Sequence, residues 1–373
     1  MLTTSSPLLA LAAAVAATVT ALLITPVVIA LAHRIGAIDL PDERKVHISA
    51  VPRLGGLAVM LGIAAGWIVL LVGGGAIVPA WRTHAPGFAI GAGLVFAIGC
   101  VDDVHRLGAL PKLAVQLAAA WVAWHYGIRF DHVSVPFVGD TLDLGAAALP
   151  VNLFWIVLIT NAWNLIDGLD GLAASLGFVA ATLFALVLFV RGHDAGLIFA
   201  VPLIGALLGF LPYNLNPAQI FLGDSGSYLI GYLLALLSIL TGQKSVASFA
   251  VFMPLAVLAL PLIDTTWAVF RRLGSDEPAT LGQRLRGVFQ ADRHHIHHRL
   301  LDRGLAPARV VRLLVALAGG LGSLGLVLTF NHEPRAAGLL MLVSAMAFWI
   351  ALSSRSAVDA DHDDSSPAGD PVD

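Results

Sequence analysis

The sequence predicts an all-α membrane protein, a bundle of about 11 transmembrane helices. Of the 373 residues, 58% are hydrophobic and 12% are charged, and the mean hydropathy is +0.86. A water-soluble domain of this length carries about twice that share of charged residues. Apolar windows long enough to cross a bilayer follow one another along the chain, separated by polar loops.

Each apolar window predicts one membrane helix. The first has roughly 25 apolar residues and no preceding Lys or Arg, so we expect a retained helix rather than a signal peptide. The third and fourth are short for a span, but the loop charges favour keeping them separate. The windows lie at about 7–32, 54–78, 87–101, 112–127, 145–165, 169–190, 195–213, 219–241, 246–270, 308–330 and 336–353.

The loop cations predict the orientation. Loops 33–53, 102–112 and 271–307 carry thirteen Lys and Arg residues, and the loops of the opposite side carry five. The positive-inside rule therefore places the first side in the cytoplasm and the N-terminus outside. We expect one catalytic domain, residues 1–355, in the cell inner (plasma) membrane. An acidic, disordered cytoplasmic tail, residues 356–373, would follow it.

Five polar segments fall on that predicted cytoplasmic side. They are 39–56, 101–112, 161–173, 221–227 and 291–301. Chance scatter explains such convergence poorly, so we predict an active site at the cytoplasmic face. The single cysteine, Cys100, has no second cysteine to pair with, and neither redox chemistry nor structural zinc is expected.

The segment NAWNLIDGLDGLA places Asn161, Asn164, Asp167 and Asp170 at every third position. On one continuous helix a step of three residues turns about 300°, so the four side chains could not face one point. A helix ending near Gly168 would aim the first three into a substrate pocket, and Asp170 would cap the next helix. An exposed polar hairpin is the alternative, but four such residues beside the bilayer favour a site.

Carboxylates suited to Mg²⁺ occur in three of the segments. Asp167 and Asp224 offer hard oxygen ligands, and Mg²⁺ usually takes one or two carboxylates plus water and phosphate. Mn²⁺ is the substitute we consider for these ligands, and helix capping is the alternative role for Asp224. Asp102 and Asp103 lie about 100° apart if helical, so we expect different partners. They could bind metal, accept a proton, or belong to an ordinary interfacial loop.

Basic side chains near these carboxylates indicate an anionic substrate, because they donate hydrogen bonds to phosphate oxygens. Topogenic charge is the alternative for the loop cations, and a metal tract or solvated face is the alternative for the histidines. Together with the carboxylates they predict phosphoryl transfer from a soluble nucleotide donor to a membrane-borne acceptor. The basic candidates are Lys45, His47, Arg53, Lys112, His295, His297 and His298.

At these motifs the chain resembles the polyprenyl-phosphate N-acetylhexosamine-1-phosphate transferases. The similar motifs, in the family's order, are DERKVHISAVPRLGG, DDVHRLGALPKLAVQ, NAWNLIDGLDGLA, FLGDSGSYLIGY and DRHHIHHRLLDRGL. The resemblance implies that undecaprenyl phosphate attacks the β-phosphate of a UDP-sugar, which releases UMP and starts a cell-envelope polymer. HHIHHRLL is similar to the branch that uses UDP-N-acetylglucosamine or a related hexosamine. The muramoyl-pentapeptide branch carries three consecutive histidines.

The resemblance also implies residue roles. Asp167 and Asp224 would bind Mg²⁺, and the Asp102–Asp103 pair would serve the lipid phosphate with Lys112 nearby. Whether Asp102 acts as a base stays open, because a phosphate monoester with a second pKa near 6 is already largely ionised at pH 7. The remaining assignments are Phe221 near the uracil and His295, His297 and His298 near the donor phosphates or sugar.

The expected partners are a UDP-N-acetylhexosamine, undecaprenyl phosphate and the lipid bilayer, with no nucleic acid; a homodimer is left open. A proton-coupled transporter is the alternative from another class, because membrane acids and histidines also form proton relays. It predicts polar groups at mid-membrane depth and internal symmetry, neither of which is evident here. An intramembrane aspartyl protease would need glycine where Phe221 stands.

Overall fold

The computed structural model is built almost entirely of helices. It describes residues 6–40, 50–73, 78–134, 141–242, 258–259, 261–263 and 296–329. The helices are α1 (Ser6–Ile35), α2 (Gly55–Gly73), α3 (Val78–His105), α4 (Ala109–His125), α5 (Ala148–Ile166), α6 (Leu172–Val190), α7 (Asp194–Asn214), α8 (Gly223–Gly242), α9 (Ile296–Leu301) and α10 (Pro307–Thr329). A short 3-10 helix covers Gly145–Ala147. Two antiparallel hairpins pair β1 (Ile38–Asp39) with β2 (Val51–Pro52) and β3 (His132–Ser134) with β4 (Thr141–Asp143).

Nine of the eleven predicted windows coincide with helices of the described chain. Eight of these helices are long and apolar enough to cross a membrane, so the chain is a polytopic helical membrane protein. The ninth, α4, has 17 residues and fills the short fourth window. The third window was drawn too short, because α3 runs for 28 residues. Most of window 246–270, all of window 336–353 and the tail lie outside the described residues, so the count of eleven stays a prediction.

Helix α8 lies at the centre of the described bundle. It packs against α2, α3, α5, α6 and α7, and its residues from 225 to 241 are all buried. The Tyr232 hydroxyl lies 2.9 Å from the Gly87 carbonyl oxygen of α3 and 3.1 Å from the Ala119 carbonyl oxygen of α4. Because a buried hydroxyl is stable only with a partner, this contact fixes α8 against both neighbours.

The alternation of helices brings several helix ends to one end of the bundle. The loops between α1 and α2, α3 and α4, α5 and α6, and α7 and α8 all lie at this end, because consecutive helices run in opposite directions. Hydrogen bonds join these loops to one another, for example from Phe221 N–H to the Pro52 carbonyl. Four of the five polar segments predicted to converge therefore meet here, and the fifth, 291–301, is only partly described.

Candidate active site

The start of α8 is held by the first turn of α2 and by the segment that precedes it. Gly56 N–H donates to the Leu222 carbonyl at 2.8 Å, and Phe221 N–H donates to the Pro52 carbonyl at 2.8 Å. These hydrogen bonds fix the two segments against each other. A Cβ at Gly56 would lie 2.3 Å from the Gly226 nitrogen, so only glycine permits this approach. The predicted uracil contact, Phe221, is therefore fixed through its main chain directly before α8.

Asp103 caps α8 from the neighbouring helix α3. Its Oδ1 accepts a hydrogen bond from Asp224 N–H at 2.8 Å, and its Oδ2 accepts one from Ser225 N–H at 3.1 Å. The first N–H groups of a helix have no partner inside the helix, and a negative charge there is favoured by the helix dipole. The Asp103 side chain is completely buried. Both of its oxygens are thus engaged in holding the start of α8.

Arg53 lies between two carboxylates. Its Nη2 is 3.4 Å from Asp103 Oδ1, and its Nη1 is 3.4 Å from Asp39 Oδ1. Burial alone would lower the pKa of Arg53, but the carboxylates of Asp103, Asp224 and Asp39 outweigh it and raise the pKa above its ordinary value. The guanidinium therefore stays charged. The sequence predicted Arg53 as a substrate ligand, whereas the structure directs its side chain to Asp103 and Asp39.

Lys112 links the other aspartate of the pair to α8. Its Nζ lies 3.0 Å from Asp102 Oδ2 and 3.5 Å from Asp224 Oδ2. Leu107 N–H donates to Asp102 Oδ1 at 2.5 Å, which fixes that carboxylate in the turn after α3. Asp102 and Asp103 therefore contact different partners, as their angular separation on a helix predicts. The ammonium of Lys112 therefore offsets the charge of both carboxylates.

Two asparagines at the end of α5 have different surroundings. Asn164 Nδ2 donates to Asp224 Oδ1 at 3.1 Å and to Ser227 Oγ at 2.8 Å, so it orients the Asp224 carboxylate. Asn161 and Gln116 of α4 pair through their amides, with distances of 2.6 Å and 3.4 Å. Both were predicted substrate ligands. In the described contacts Asn164 belongs to the acidic cluster, and Asn161 joins two helices.

Helix α5 ends at Ile166, close to the predicted end at Gly168, and Asp167 follows as its C-terminal cap residue. The prediction that Asp170 caps α6 is wrong, because Gly171 occupies the cap position without a side-chain acceptor. Asp170 Oδ2 instead accepts hydrogen bonds from Asn216 Nδ2 at 2.9 Å and from Ala218 N–H at 3.1 Å. Its carboxylate ties the α5–α6 loop to the α7–α8 loop.

The carboxylates of Asp167 and Asp224 suit a hard cation. Burial, and then the neighbouring Asp224 carboxylate, raise the pKa of Asp167 well above its ordinary value. Among the described residues, none donates a hydrogen bond to the Asp167 carboxylate. A bound cation would favour the ionised form of both groups. Within the described chain no three His, Cys, Asp or Glu residues could hold a metal together. Two carboxylates would be enough for Mg²⁺, which usually binds through one or two carboxylates and completes its shell with water and phosphate oxygens.

Some predicted ligands are not covered. Lys45, His47 and His295 lie outside the described residues, and only the backbone of His297 and His298 is described, within α9.

Sequence reasoning overlooked Asp39, Gln116 and Ser227, which contact Arg53, Asn161 and Asn164. Each carried a usable signal. Asp39 opens the polar segment that contains Arg53, and Gln116 is polar within an apolar window. Ser227 lies three residues after Asp224 on the same helix.

Comparison with known proteins gives a consistent match. Residues 85–242 match glycosyl transferase family 4. A probable undecaprenyl-phosphate N-acetylglucosaminyl 1-phosphate transferase of Bacillus subtilis is 38% identical over 308 residues, covering 83% of this chain and 81% of the relative. A decaprenyl-phosphate N-acetylglucosaminephosphotransferase of Mycobacterium leprae is 35% identical over 87% of this chain and 86% of its own length. An undecaprenyl-phosphate alpha-N-acetylglucosaminyl 1-phosphate transferase of Escherichia coli is 27% identical, with 81% and 79% covered.

Proposed function

The chain belongs to glycosyl transferase family 4, with the polyprenyl-phosphate N-acetylglucosamine-1-phosphate transferases, and we propose that it transfers N-acetylglucosamine 1-phosphate from UDP-N-acetylglucosamine to a polyprenyl phosphate. The observation that carries this proposal is the 38% identity, over 83% of the chain, to a relative named for this transfer. The site adds independent support, because acidic and basic side chains meet at one end of a membrane bundle. There a soluble donor and a lipid acceptor can both approach.

The proposed reaction forms one P–O bond and breaks another. An oxygen of the polyprenyl phosphate attacks the β-phosphorus of the UDP-sugar, and the bond from that phosphorus to the bridging oxygen of UMP breaks. The products are polyprenyl-diphosphate N-acetylglucosamine and UMP. The attacking phosphate monoester has a second pKa near 6, so it is largely a dianion at pH 7 and needs no base. Positioning and charge compensation supply the catalysis.

The residues of the site match these two tasks. Asp167 and Asp224 would hold Mg²⁺, which when bound neutralises pyrophosphate charge. Asn164 holds Asp224 Oδ1, and thus fixes one of the two carboxylates. Lys112 presents a positive charge beside that carboxylate, where it can move to a phosphate oxygen. Asp102 keeps the Lys112 ammonium in place and is not required to remove a proton.

Similarity to members of this family also supports the choice of sugar donor and lipid acceptor. The HHIHHRLL segment, similar to the hexosamine branch, favours UDP-N-acetylglucosamine as the donor. Relatives named for undecaprenyl and for decaprenyl phosphate support a long polyprenyl phosphate as the acceptor. The product would start a cell-envelope polymer. The relatives are named as transferases, which the transporter alternative does not predict.

We place the site on the cytoplasmic face of the plasma membrane. Thirteen loop cations on that side against five on the other support this orientation, and eleven spans would put the N-terminus outside. UDP-sugars are polar and soluble, so a site that opens to the cytosol reaches them directly. Cysteine-accessibility labelling of single-cysteine variants in inverted and right-side-out vesicles tests the placement. Labelling of loop 126–131 from the cytosolic side would contradict it.

The reaction is tested by UMP release from purified protein in detergent. Undecaprenyl or decaprenyl phosphate is supplied with Mg²⁺ and one of three donors: UDP-N-acetylglucosamine, UDP-N-acetylgalactosamine or UDP-muramoyl-pentapeptide. We expect UMP only with lipid, with Mg²⁺ and with UDP-N-acetylglucosamine, and we expect EDTA to stop its release. Asp224→Asn should abolish turnover in folded protein, and Arg129→Ala, at the opposite end of the bundle, should not. No UMP with any donor would refute the transferase assignment.

A further inference from the structure

We propose that Arg53 is a positioning residue of the transferase: through Asp103 it fixes the first turn of α8 and thereby the direction of the Asp224 side chain. This inference deepens the proposed function and rests on it for the role of Asp224. It differs from the prediction that Arg53 binds substrate phosphate, and the experiments below distinguish the two roles. Asp39 contributes to the same arrangement, because it contacts the Arg53 guanidinium from the other side.

The placement of Arg53 supports this role. Both carboxylate partners lie 3.4 Å from its guanidinium nitrogens, and side-chain exposure is 19% for Arg53, 14% for Asp39 and 0% for Asp103. The Arg53 main chain is anchored as well, since its N–H donates to the Ala37 carbonyl at 3.0 Å. A guanidinium presents a planar fork of N–H donors, which suits two acceptors better than an ammonium does. The fork is thus already engaged by protein groups.

Asp103 transmits this positioning to α8. It holds Asp224 N–H and Ser225 N–H, two groups that have no acceptor inside the helix. A completely buried carboxylate that has lost its cation is unfavourable, so loss of Arg53 lets the Asp103 side chain turn toward water. This rotation takes its oxygens away from the two N–H groups. The main chain of Asp224 then loses its fixed position, although Asp224 itself is unaltered.

The packing around Gly223 shows how closely the parts fit. A Cβ at Gly223 would lie 2.7 Å and 2.8 Å from the two oxygens of Asp103 and 3.0 Å from the Arg53 carbonyl oxygen. Arg53, Asp103 and the residue before Asp224 are therefore in direct contact. A shift in any of them reaches the others without passing through solvent.

Hydrogen–deuterium exchange in protein without substrate tests whether Arg53 fixes the first turn of α8. The amides of Asp224 and Ser225 should exchange about tenfold faster in Arg53→Ala than in wild type, because each loses its carboxylate acceptor. Arg129→Ala is the matched control, since Arg129 also lies 3.3 Å from a carboxylate, that of Asp131, but in an exposed pair. Unchanged exchange at both amides in Arg53→Ala would overturn the proposal. This readout does not depend on any reaction, so it is independent of the proposed activity.

Kinetics separate positioning from substrate binding. In Arg53→Ala we expect kcat for UMP release to fall at least tenfold while KM for the UDP-sugar changes less than about twofold. Asp39→Asn should have a smaller effect that disappears in the Arg53→Ala background, because both act through one contact. Arg53→Lys, which keeps the charge and loses the fork, should recover part of the turnover. A raised KM with unchanged kcat would make Arg53 a phosphate ligand instead, and additive effects of the two substitutions would show that Asp39 does not act through Arg53.

Discussion

Gly223→Ala offers a sharp test of how the site is held. Gly223 begins α8 with φ of +75°, in the left-handed region. A side chain there costs about 1–2 kcal/mol in conformational energy alone. The added Cβ would also lie 2.7 Å and 2.8 Å from the Asp103 oxygens, closer than real Cβ contacts. The carboxylate must therefore move and give up at least one hydrogen bond to the start of α8.

The second part of the cost follows from that lost bond. A hydrogen bond to a charged group contributes about 1.5–3 kcal/mol. We therefore expect Gly223→Ala to destabilise the protein by about 2.5–5 kcal/mol, the sum of the two contributions. Gly127→Ala isolates the first contribution. Gly127 has φ of +77°, it lies at the opposite end of α4, and the nearest atom to its added Cβ is 3.8 Å away.

The assay compares thermal unfolding and turnover of both variants in the same detergent. The midpoint of Gly223→Ala should lie below that of Gly127→Ala, by about 2 °C for each kcal/mol of the difference. Gly127→Ala should keep wild-type UMP release, and Gly223→Ala should lose more than tenfold. Equal midpoints, or full activity in Gly223→Ala, would refute the conclusion that Asp103 fixes the start of α8.

Four further substitutions test three contacts of the site. Lys112→Gln removes the cation beside Asp102 and Asp224, and we expect turnover to fall about a hundredfold. The measurement is UMP release titrated with Mg²⁺, and a maximal rate equal to that of the wild type would contradict this expectation. Asn164→Leu frees Asp224 Oδ1, so kcat should fall about tenfold with little change in KM for the donor, and an effect on KM alone would show that Asn164 binds substrate. Gln116→Leu or Asn161→Leu leaves the other amide without its side-chain partner and should lower the free energy of unfolding by about 1–3 kcal/mol. The double variant should recover part of the loss in the midpoint of thermal unfolding. Additive midpoint losses would show that the pair does not form.

The membrane helices could be predicted from the sequence because the bilayer imposes a simple rule. Each span needs about 20 apolar residues whose backbone groups bond within the helix, so apolar runs such as 172–190 are recognisable as membrane helices from the sequence. The end of α5 was also predictable, since Gly168 follows the polar residues closely. The start of α3 was not, because residues 78–86 include Arg82, His84 and Pro86, which depress the apolar signal within one continuous helix.

Side-chain partners across the bundle could not be predicted in the same way. Asp103 accepts a hydrogen bond from Asp224 N–H, 121 residues later in the chain, and no local pattern marks that pairing. Asn161 and Asn164 look equivalent in sequence, yet one turns to Gln116 and the other to Asp224. Their separation by about 300° on α5 decides the difference, but only the packing of α4 and α8 reveals which helix each one meets.

The consecutive aspartates of α3 illustrate why one motif can hold two separate devices. Neighbouring helical residues point about 100° apart, which lets each of the two reach a different partner. Asp102 turns to Lys112, an interaction that adjusts charge beside Asp224, and Asp103 turns to main-chain N–H groups, an interaction that fixes geometry. Charge compensation and capping reach Asp224 from different sides, through its carboxylate and through its main chain. Neither aspartate can therefore replace the other. Loss of the Asp102 contact should disturb the charge beside Asp224, and loss of the Asp103 contact should disturb the position of its main chain.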